Sequence, residues 1–227
     1  MPQYKKVFDI GTYTGNGGQY RVGIPTLRPP GPSGKQAAGS VRFRRANKNQ
    51  LSRTFGTPTS SLIWTISIWV KRAALASASY LDVISSSTDS SAYYVDHMFN
   101  NDQIDFQYGQ AGSSGTDVQT TTTVRDTSMW NHIVWSIDLS QATAANRVKI
   151  YLNGLLQPIS GTVPTQNTTT YKFNQNGIVH YIGSESSSGS TSANFDGFMS
   201  EFYFVDGQQL TPTSFRSEEH TSELQSH

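Results

Sequence analysis

Trp64-Thr-Ile-Ser-Ile-Trp-Val70 is the stretch that decides the fold. In an extended chain, Trp64, Ile66, Ile68 and Val70 fall on one face, with Thr65 and Ser67 on the other. His132-Ile-Val-Trp-Ser-Ile-Asp-Leu139 repeats the pattern. Ile133, Trp135, Ile137 and Leu139 point inward there, and His132 takes the opposite face. Val148–Leu152 runs into Asn153-Gly154, a strong hairpin-turn signal, which makes Leu155–Ile159 the return strand. Alternation or β-branched content marks further strands at Tyr80–Ser85, Tyr93–Phe99, Ile104–Tyr108, Val118–Val124, Val179–Gly183 and Phe198–Val205. Ser-, Thr-, Asn- and Gly-rich stretches separate them, and Gln141–Asn146 is expected to form one helical turn. About ten or more strands in roughly 175 residues predict two stacked antiparallel sheets, a β-sandwich.

Composition agrees. The 227 residues are 35% hydrophobic and 15% charged, with 30 Ser, 24 Thr and 19 Gly. This is a recipe for strands and turns rather than a helical bundle. With 11 Phe, 11 Tyr and 4 Trp, the chain can still bury a core. The absence of cysteine excludes disulfide scaffolds, thiolate metal sites and cysteine nucleophiles. No apolar run approaches a membrane span, and the N-terminus lacks the apolar centre of a signal peptide. The net charge of +1 hides an asymmetry. Residues 1–53 hold ten Lys/Arg and one acid, whereas 54–215 hold six Lys/Arg and twelve acids. Residues 1–39 read as a basic, Gly- and Pro-rich arm and linker, with short strands expected at Tyr4–Ile10 and Gln19–Ile24. Residues 40–215 read as the sandwich.

The last twelve residues, Arg216-Ser-Glu-Glu-His-Thr-Ser-Glu-Leu-Gln-Ser-His227, differ from everything before them. They resemble the in-frame translation of a sequencing-library adapter. They are expected to be a disordered artefact of cloning or assembly, leaving the natural continuation beyond Phe215 unknown.

Within 40–215 the strands carry recognisable wording. The series begins Val41-Arg-Phe43, Leu51-Ser-Arg-Thr54 and Trp64-Thr-Ile-Ser-Ile-Trp-Val-Lys-Arg72. It continues with Met129-Trp-Asn-His-Ile-Val134 and Ala144-Ala-Asn-Arg-Val-Lys-Ile-Tyr-Leu-Asn-Gly154. It ends with Tyr181-Ile-Gly183, Phe195-Asp-Gly-Phe-Met-Ser-Glu-Phe-Tyr-Phe-Val-Asp-Gly207 and Leu210-Thr-Pro212. In this order the motifs resemble laminin-G-like domains of the concanavalin A-like lectin/glucanase superfamily, in the versions found in bacteriophage virion proteins. The resemblance implies an all-β jelly-roll sandwich of two antiparallel sheets. It implies a non-catalytic module that recognises a host-surface glycan from a virion or tail appendage, outside the cell. A structural virion spacer or decoration domain without sugar binding is the alternative, and a glycoside hydrolase a lesser one. Partners would be the glycan or other virion proteins, with a homo-oligomer compatible with such an appendage and nucleic acid disfavoured. Trp64 and Trp130, at strand entries, are expected as core anchors with the indole nitrogen bonded at the sheet edge, and Asp196-Gly197 and Asp206-Gly207 as turns flanking the last strand.

The residues weigh against catalysis. A retaining glycosidase needs two carboxyls about 5–5.5 Å apart, and in this superfamily they sit on one strand as Glu-x-Asp-x-(x)-Glu. Before residue 216 the chain has only Glu185 and Glu201. Asp102-Gln-Ile-Asp105 would place its acids on opposite faces of a regular strand. Neither a Gly-x-Ser-x-Gly elbow nor a phosphate loop occurs. The resemblance also implies a Ca²⁺ at a sheet rim, for which Asp82, Asp89, Asp102 and Asp105, with Asp96 and Asp117, are candidates. Sugar binding would draw on Tyr93, Tyr94, Asp96, Tyr108 and Tyr171, whose rings could stack on pyranose faces beside polar loops.

Overall fold

The computed structural model describes residues 39–75, 80–87, 94–109, 116–168, 172–185 and 193–215. The expected arm strands, the adapter-like tail, Asp89, Tyr93 and Tyr171 lie outside these residues. Thirteen strands are described. They are β1 Val41–Phe43, β2 Leu51–Thr54, β3 Ile63–Arg72, β4 Tyr80–Ser87, β5 Tyr94–Asn100, β6 Gln103–Gly109 and β7 Thr116–Thr123. The rest are β8 Asn131–Asp138, β9 Val148–Leu152, β10 Leu155–Leu156, β11 Ile159–Gly161, β12 Val179–Ile182 and β13 Gly197–Asp206. One sheet has six strands in the order β1-β13-β3-β8-β9-β10, and the other seven in the order β11-β7-β6-β5-β4-β12-β2. Every strand pairing is antiparallel. The all-β sandwich expected from the alternation is the observed fold.

The alternating residues do what their period dictates. Trp64, Ile66, Ile68 and Val70 of β3 and Ile133, Trp135 and Ile137 of β8 are all buried in one core. From the facing sheet come Leu81, Ile84, Val95, Phe99, Ile104 and Phe106, and Phe173, Phe195, Phe202 and Phe204 fill the remaining space. Burying a single side chain of this size contributes about 1.5–3 kcal/mol. The Asn153-Gly154 turn closes the β9–β10 hairpin with both residues at positive φ, 51° and 88°, the geometry of a type I′ turn.

Four expectations need correction. The return strand is only Leu155–Leu156, because Pro158 has no N–H to extend the ladder. The chain then crosses over, and Ile159–Gly161 pairs with β7 of the other sheet. Gly197 is not a turn residue but opens β13, opposite Arg72 on one side and Phe43 on the other. At φ 156° it lies so close to the Lys71 backbone that a Cβ would collide with its carbonyl oxygen. Trp130 is half-buried against Phe198, with ring centroids 6.4 Å apart, and is not a core anchor. Trp64 is in the core, but its indole nitrogen is bonded inside the sandwich rather than at a sheet edge.

Three register shifts interrupt the ladders. β4 shifts between Asp82 and Ile84, β13 between Ser200 and Tyr203, and the β6–β7 pairing between Gln103 and Asp105. Each inserts residues that reset which side chains point outward.

Candidate functional site

Neighbouring strands place paired residues on the same face of a sheet. On β5, Val95, His97 and Phe99 point into the core, so Asp96, Met98 and Asn100 point outward. Register then carries the outer face across the sheet. Asp96 pairs with Ser85 of β4 and Gln107 of β6, and Met98 pairs with Asp82 and Asp105. Asp105 pairs in turn with Gln119 of β7, and Gln107 with Asp117. Tyr181 of β12 lies opposite Ser85. Asp82, Asp96, Asp105 and Asp117 therefore form a zigzag row across four adjacent strands. It spans three inter-strand spacings, about 14 Å.

The row is anchored from beneath. Trp64 donates its indole N–H to His97 Nε2 at 3.3 Å, and Trp135 donates its own to the Asp105 carbonyl at 3.0 Å. These bonds tie β3 and β8 of one sheet to β5 and β6 of the other, directly under Asp96 and Asp105. Burial lowers the His97 pKa to about 3, with His180 adding to the effect. Burial does the same to His180, also about 3, whose Nε2 accepts the Asn174 N–H at 3.1 Å. Both imidazoles are neutral core components.

The acids of the row are almost fully buried. Residue exposure is 1% for Asp82, 6% for Asp96 and 0% for Asp105. Burial pushes the Asp82 carboxyl well above the usual range, and Asp96, Glu185 and Asp105 push it further. Burial acts the same way on Asp96, reinforced by Glu185 and Asp105. Asp105 is raised to about 8 by burial and by a hydrogen bond and repulsion from Asp117, despite amide hydrogen bonds from Asn100 and Gln119. The amide donors sit at 3.1 Å each, and Gln119 reaches Asp117 as well, at 3.2 Å. Asp82 Oδ2 and Asp96 Oδ1 have no hydrogen-bond partner. Asn194 bridges to Asp82 in parallel, which sets its side chain on the same face. It is 0% exposed, and its Nδ2 has no partner either.

The residues singled out from sequence separate into groups. Asp82, Asp96 and Asp105 belong to one row, although sequence reasoning divided them between a sugar site and a metal site. Asp102 stands apart in the β5–β6 turn. Its carboxylate pairs with buried Arg72 at 2.9 Å and with Arg125 at 3.3 Å, and Arg72 also lies over the Phe99 ring. Asp102 is thus a structural ion-pair member and does not converge with Asp82 and Asp105 on one ion. Among the described residues no group of three or more His, Asp or Glu side chains could hold a metal ion. Asp82, Asp96, Asp105 and Asp117 are spread along the row across four strands rather than gathered at one point. Tyr108 packs against the core, not on the outer face, because the period of two aligns it with Ile104 and Phe106. Tyr94 opens β5 opposite Gly109. Sequence reasoning missed Asn194, Gln107 and Gln119. The polar alternation Asp105-x-Gln107 and Asp117-x-Gln119 was the signal for the two glutamines.

The outer face of the six-stranded sheet is different. His132 lies opposite Ile133 and Trp135 as expected, stacks on Trp69 at 5.0 Å, and sits 2.8 Å from Ser67 Oγ through Nε2. Asn153 Oδ1 accepts the His132 N–H, and Asn153 Nδ2 donates to Asn131. Tyr203 packs on Phe215, with ring centroids 5.9 Å apart.

A family model described as the concanavalin A-like lectin/glucanases superfamily matches residues 39–214. Among solved structures, the fold is similar to domains LG4-5 of the mouse laminin alpha1 chain. The TM-score is 0.53 at 12% identity, over 84% of this chain and 47% of that one. It also aligns with domain 4 of AbnA, an extracellular arabinanase from Geobacillus stearothermophilus, in complex with arabinotriose. Here the TM-score is 0.48 at 19% identity, covering 67% of this chain and 64% of that one. A SAP-like pentraxin from Limulus polyphemus aligns with a TM-score of 0.47 at 14% identity, over 67% and 68% of the two chains. This chain thus spans about half of the laminin fragment and about two thirds of the other two. No curated protein sequence matches it. Among the described residues no helix is long and apolar enough to cross a membrane.

Proposed function

We propose, from the premise that this chain belongs to the concanavalin A-like lectin/glucanases superfamily, that it is a non-catalytic carbohydrate-recognition module. Its binding surface is the outer face of β4–β7. One observation carries the reading: buried acceptors on Asp82 and Asp96 and a buried donor on Asn194 stand without partners on that face. Native interiors rarely leave such groups unsatisfied, because each costs about 1–3 kcal/mol. A saccharide offers hydroxyl donors and oxygen acceptors together, and so answers both needs. The half-buried Gln107 and Gln119 stand at the rim of the row and can orient further hydroxyls.

The same geometry supports binding over hydrolysis. A retaining pair needs one carboxylate that stays ionised as nucleophile. In the neighbouring pair Asp82 and Asp96, both carboxyls are raised instead. The ordered strand motifs support placing the module in a bacteriophage virion or tail appendage, where it meets a host surface outside the cell. Many copies on one particle would raise a weak single-site affinity. The test is a glycan array and host-cell binding with the domain displayed multivalently. Retention that is lost in Asp96→Asn supports the reading; no binding to any glycan or cell overturns it. A second reading, a structural spacer contacting other virion proteins or a second copy, is favoured by Leu155 and Leu156. They stand 70% and 57% exposed on the edge strand β10.

A further inference from the structure

We propose that the row Asp82–Asp96–Asp105–Asp117 selects a saccharide bearing ammonium groups, an amine-substituted oligosaccharide, over neutral or acidic sugars. The inference rests on reading this face as a carbohydrate surface and names the class of ligand that surface takes.

Charge comes first. Asp82, Asp96 and Asp105 are at least nine-tenths buried on one face, and the charged groups acting on Asp82 and Asp96 are all acids. Three arginines are paired with other acids: Arg72 and Arg125 with Asp102, and Arg42 with Asp196. Arg45 donates through Nε to the Asn194 backbone carbonyl, and its buried Nη2 has no partner. A neutral polyol would satisfy hydrogen-bonding capacity and leave the raised carboxyls protonated. A uronate or other anionic sugar would oppose their ionisation further. A ligand ammonium favours the ionised carboxylates, and charge-assisted bonds to a carboxylate are about twice as strong as neutral ones.

Shape selects against a bare ion. The acids are diagonal neighbours spread over four strands, and no three of them close on one point. The length of the row suits an oligomer with charges repeated along it. The independent observation is Asn194. Its Nδ2 is buried, unpartnered and on the same face as Asp82, and a cation cannot satisfy a donor. A ligand that meets both demands must carry oxygen acceptors beside its positive charges, as an amino sugar does.

The test is isothermal titration of the intact chain with three probes of equal length, at a pH where amines are protonated. These are a glucosamine oligomer, its fully N-acetylated counterpart and an oligouronate. The glucosamine oligomer is expected to bind about tenfold tighter or better than the acetylated one, the equivalent of one charge-assisted hydrogen bond. Asp96→Asn and, separately, Asp105→Asn should erase that preference, with circular dichroism confirming the fold. Acetylated or uronate oligomers binding as tightly as the amine would overturn the charge selectivity while leaving the carbohydrate reading in place. Calcium binding alone, with the same sensitivity to Asp96→Asn and no amine preference, would overturn it in favour of a metal. Failure of all three probes, together with an empty glycan array, would overturn both.

Discussion

The two outer faces of the sandwich are built from the same alternation but settle their polar groups in opposite ways. On the six-stranded sheet several buried polar side chains find partners within the protein. Ser67 meets His132, Asn131 meets Asn153, and Thr65 takes the Leu210 N–H and donates to the Gln208 carbonyl. Asp138 ends β8 there. Burial works against its charge, but hydrogen bonds from Gln141 and Ser140 prevail and hold its carboxyl below the ordinary range. On the seven-stranded sheet Asp105 is driven the other way, to about 8, and Asp82, Asp96 and Asn194 keep atoms with no partner. A satisfied face is finished as structure. An unsatisfied one is held open against its own cost by the core beneath it, and that cost is recovered only when something binds.

The hardest way to break this contrast is to strand the one acid near the seven-stranded sheet that has a buried cation. Arg72→Met is expected to cost about 3 kcal/mol or more, since it leaves Asp102 buried without its buried cation. Urea denaturation would measure it, and a loss below about 1 kcal/mol would mean the pair behaves as a surface bridge.

The pH profile comes next. Asp105 titrates near 8 when folded and near 3.8 otherwise. Its contribution is intact below about 3.8 and is lost progressively as pH rises from there to about 8, with a slope of up to ~1.4 kcal/mol per unit. Asp105→Asn should flatten that limb and raise stability at pH 8. His97 and His180 act on the acid side. Each titrates near 3 when folded and 6.5 otherwise, so the unfolded chain gains protons first and stability falls as pH drops below 6.5. Asp82 and Asp96, raised in the same direction as Asp105, oppose the two histidines over the acid limb; a denaturation profile unchanged by Asp105→Asn would remove the burial of that acid from the account.

Smaller effects sharpen the comparison. Asp138→Asn should destabilise by about 1 kcal/mol where Asp105→Asn stabilises, so equal signs for the two would erase the distinction between the faces. Ser67→Ala should cost about 1 kcal/mol or less and leave sugar binding unchanged. Reduced binding in that variant would move the site to the other sheet.

Much of the fold was legible in the sequence. β3 and β8 announce themselves by a strict period of two, and Asn153-Gly154 by the residues a type I′ turn requires. The site was legible only in pieces, because faces follow from strands but neighbours follow from register. Asp96, Asp105 and Gln119 each show their side in their own strand, yet only pairing reveals that they share a row. Pairing also separates them from Asp102, four residues before Phe106 but bound to β3 through Arg72. His97 reads as an ordinary polar residue until Trp64 is seen to bond it from the opposite sheet. Tyr108 was mistaken for a surface ring because a loop neighbour in sequence can still face the core.

The register shift in β4 has a consequence for how this protein can change. Asp82 and Ser85 lie three apart, a spacing that would put them on opposite faces of a regular strand, and the extra residue at Val83 brings both outward. Substituting Val83 by another small apolar residue would keep that arrangement. Deleting it would leave Leu81-Asp82-Ile84-Ser85 in regular alternation, with Asp82 and Ser85 still outward, whereas flattening the bulge with Val83 retained would rotate Asp82 into the core and turn Leu81 outward. The chemistry of this surface therefore hangs on the bulge rather than on the identity of the residue it holds. Descendants of this sequence can exchange or lose that letter of β4 far more freely than they can straighten the strand around it.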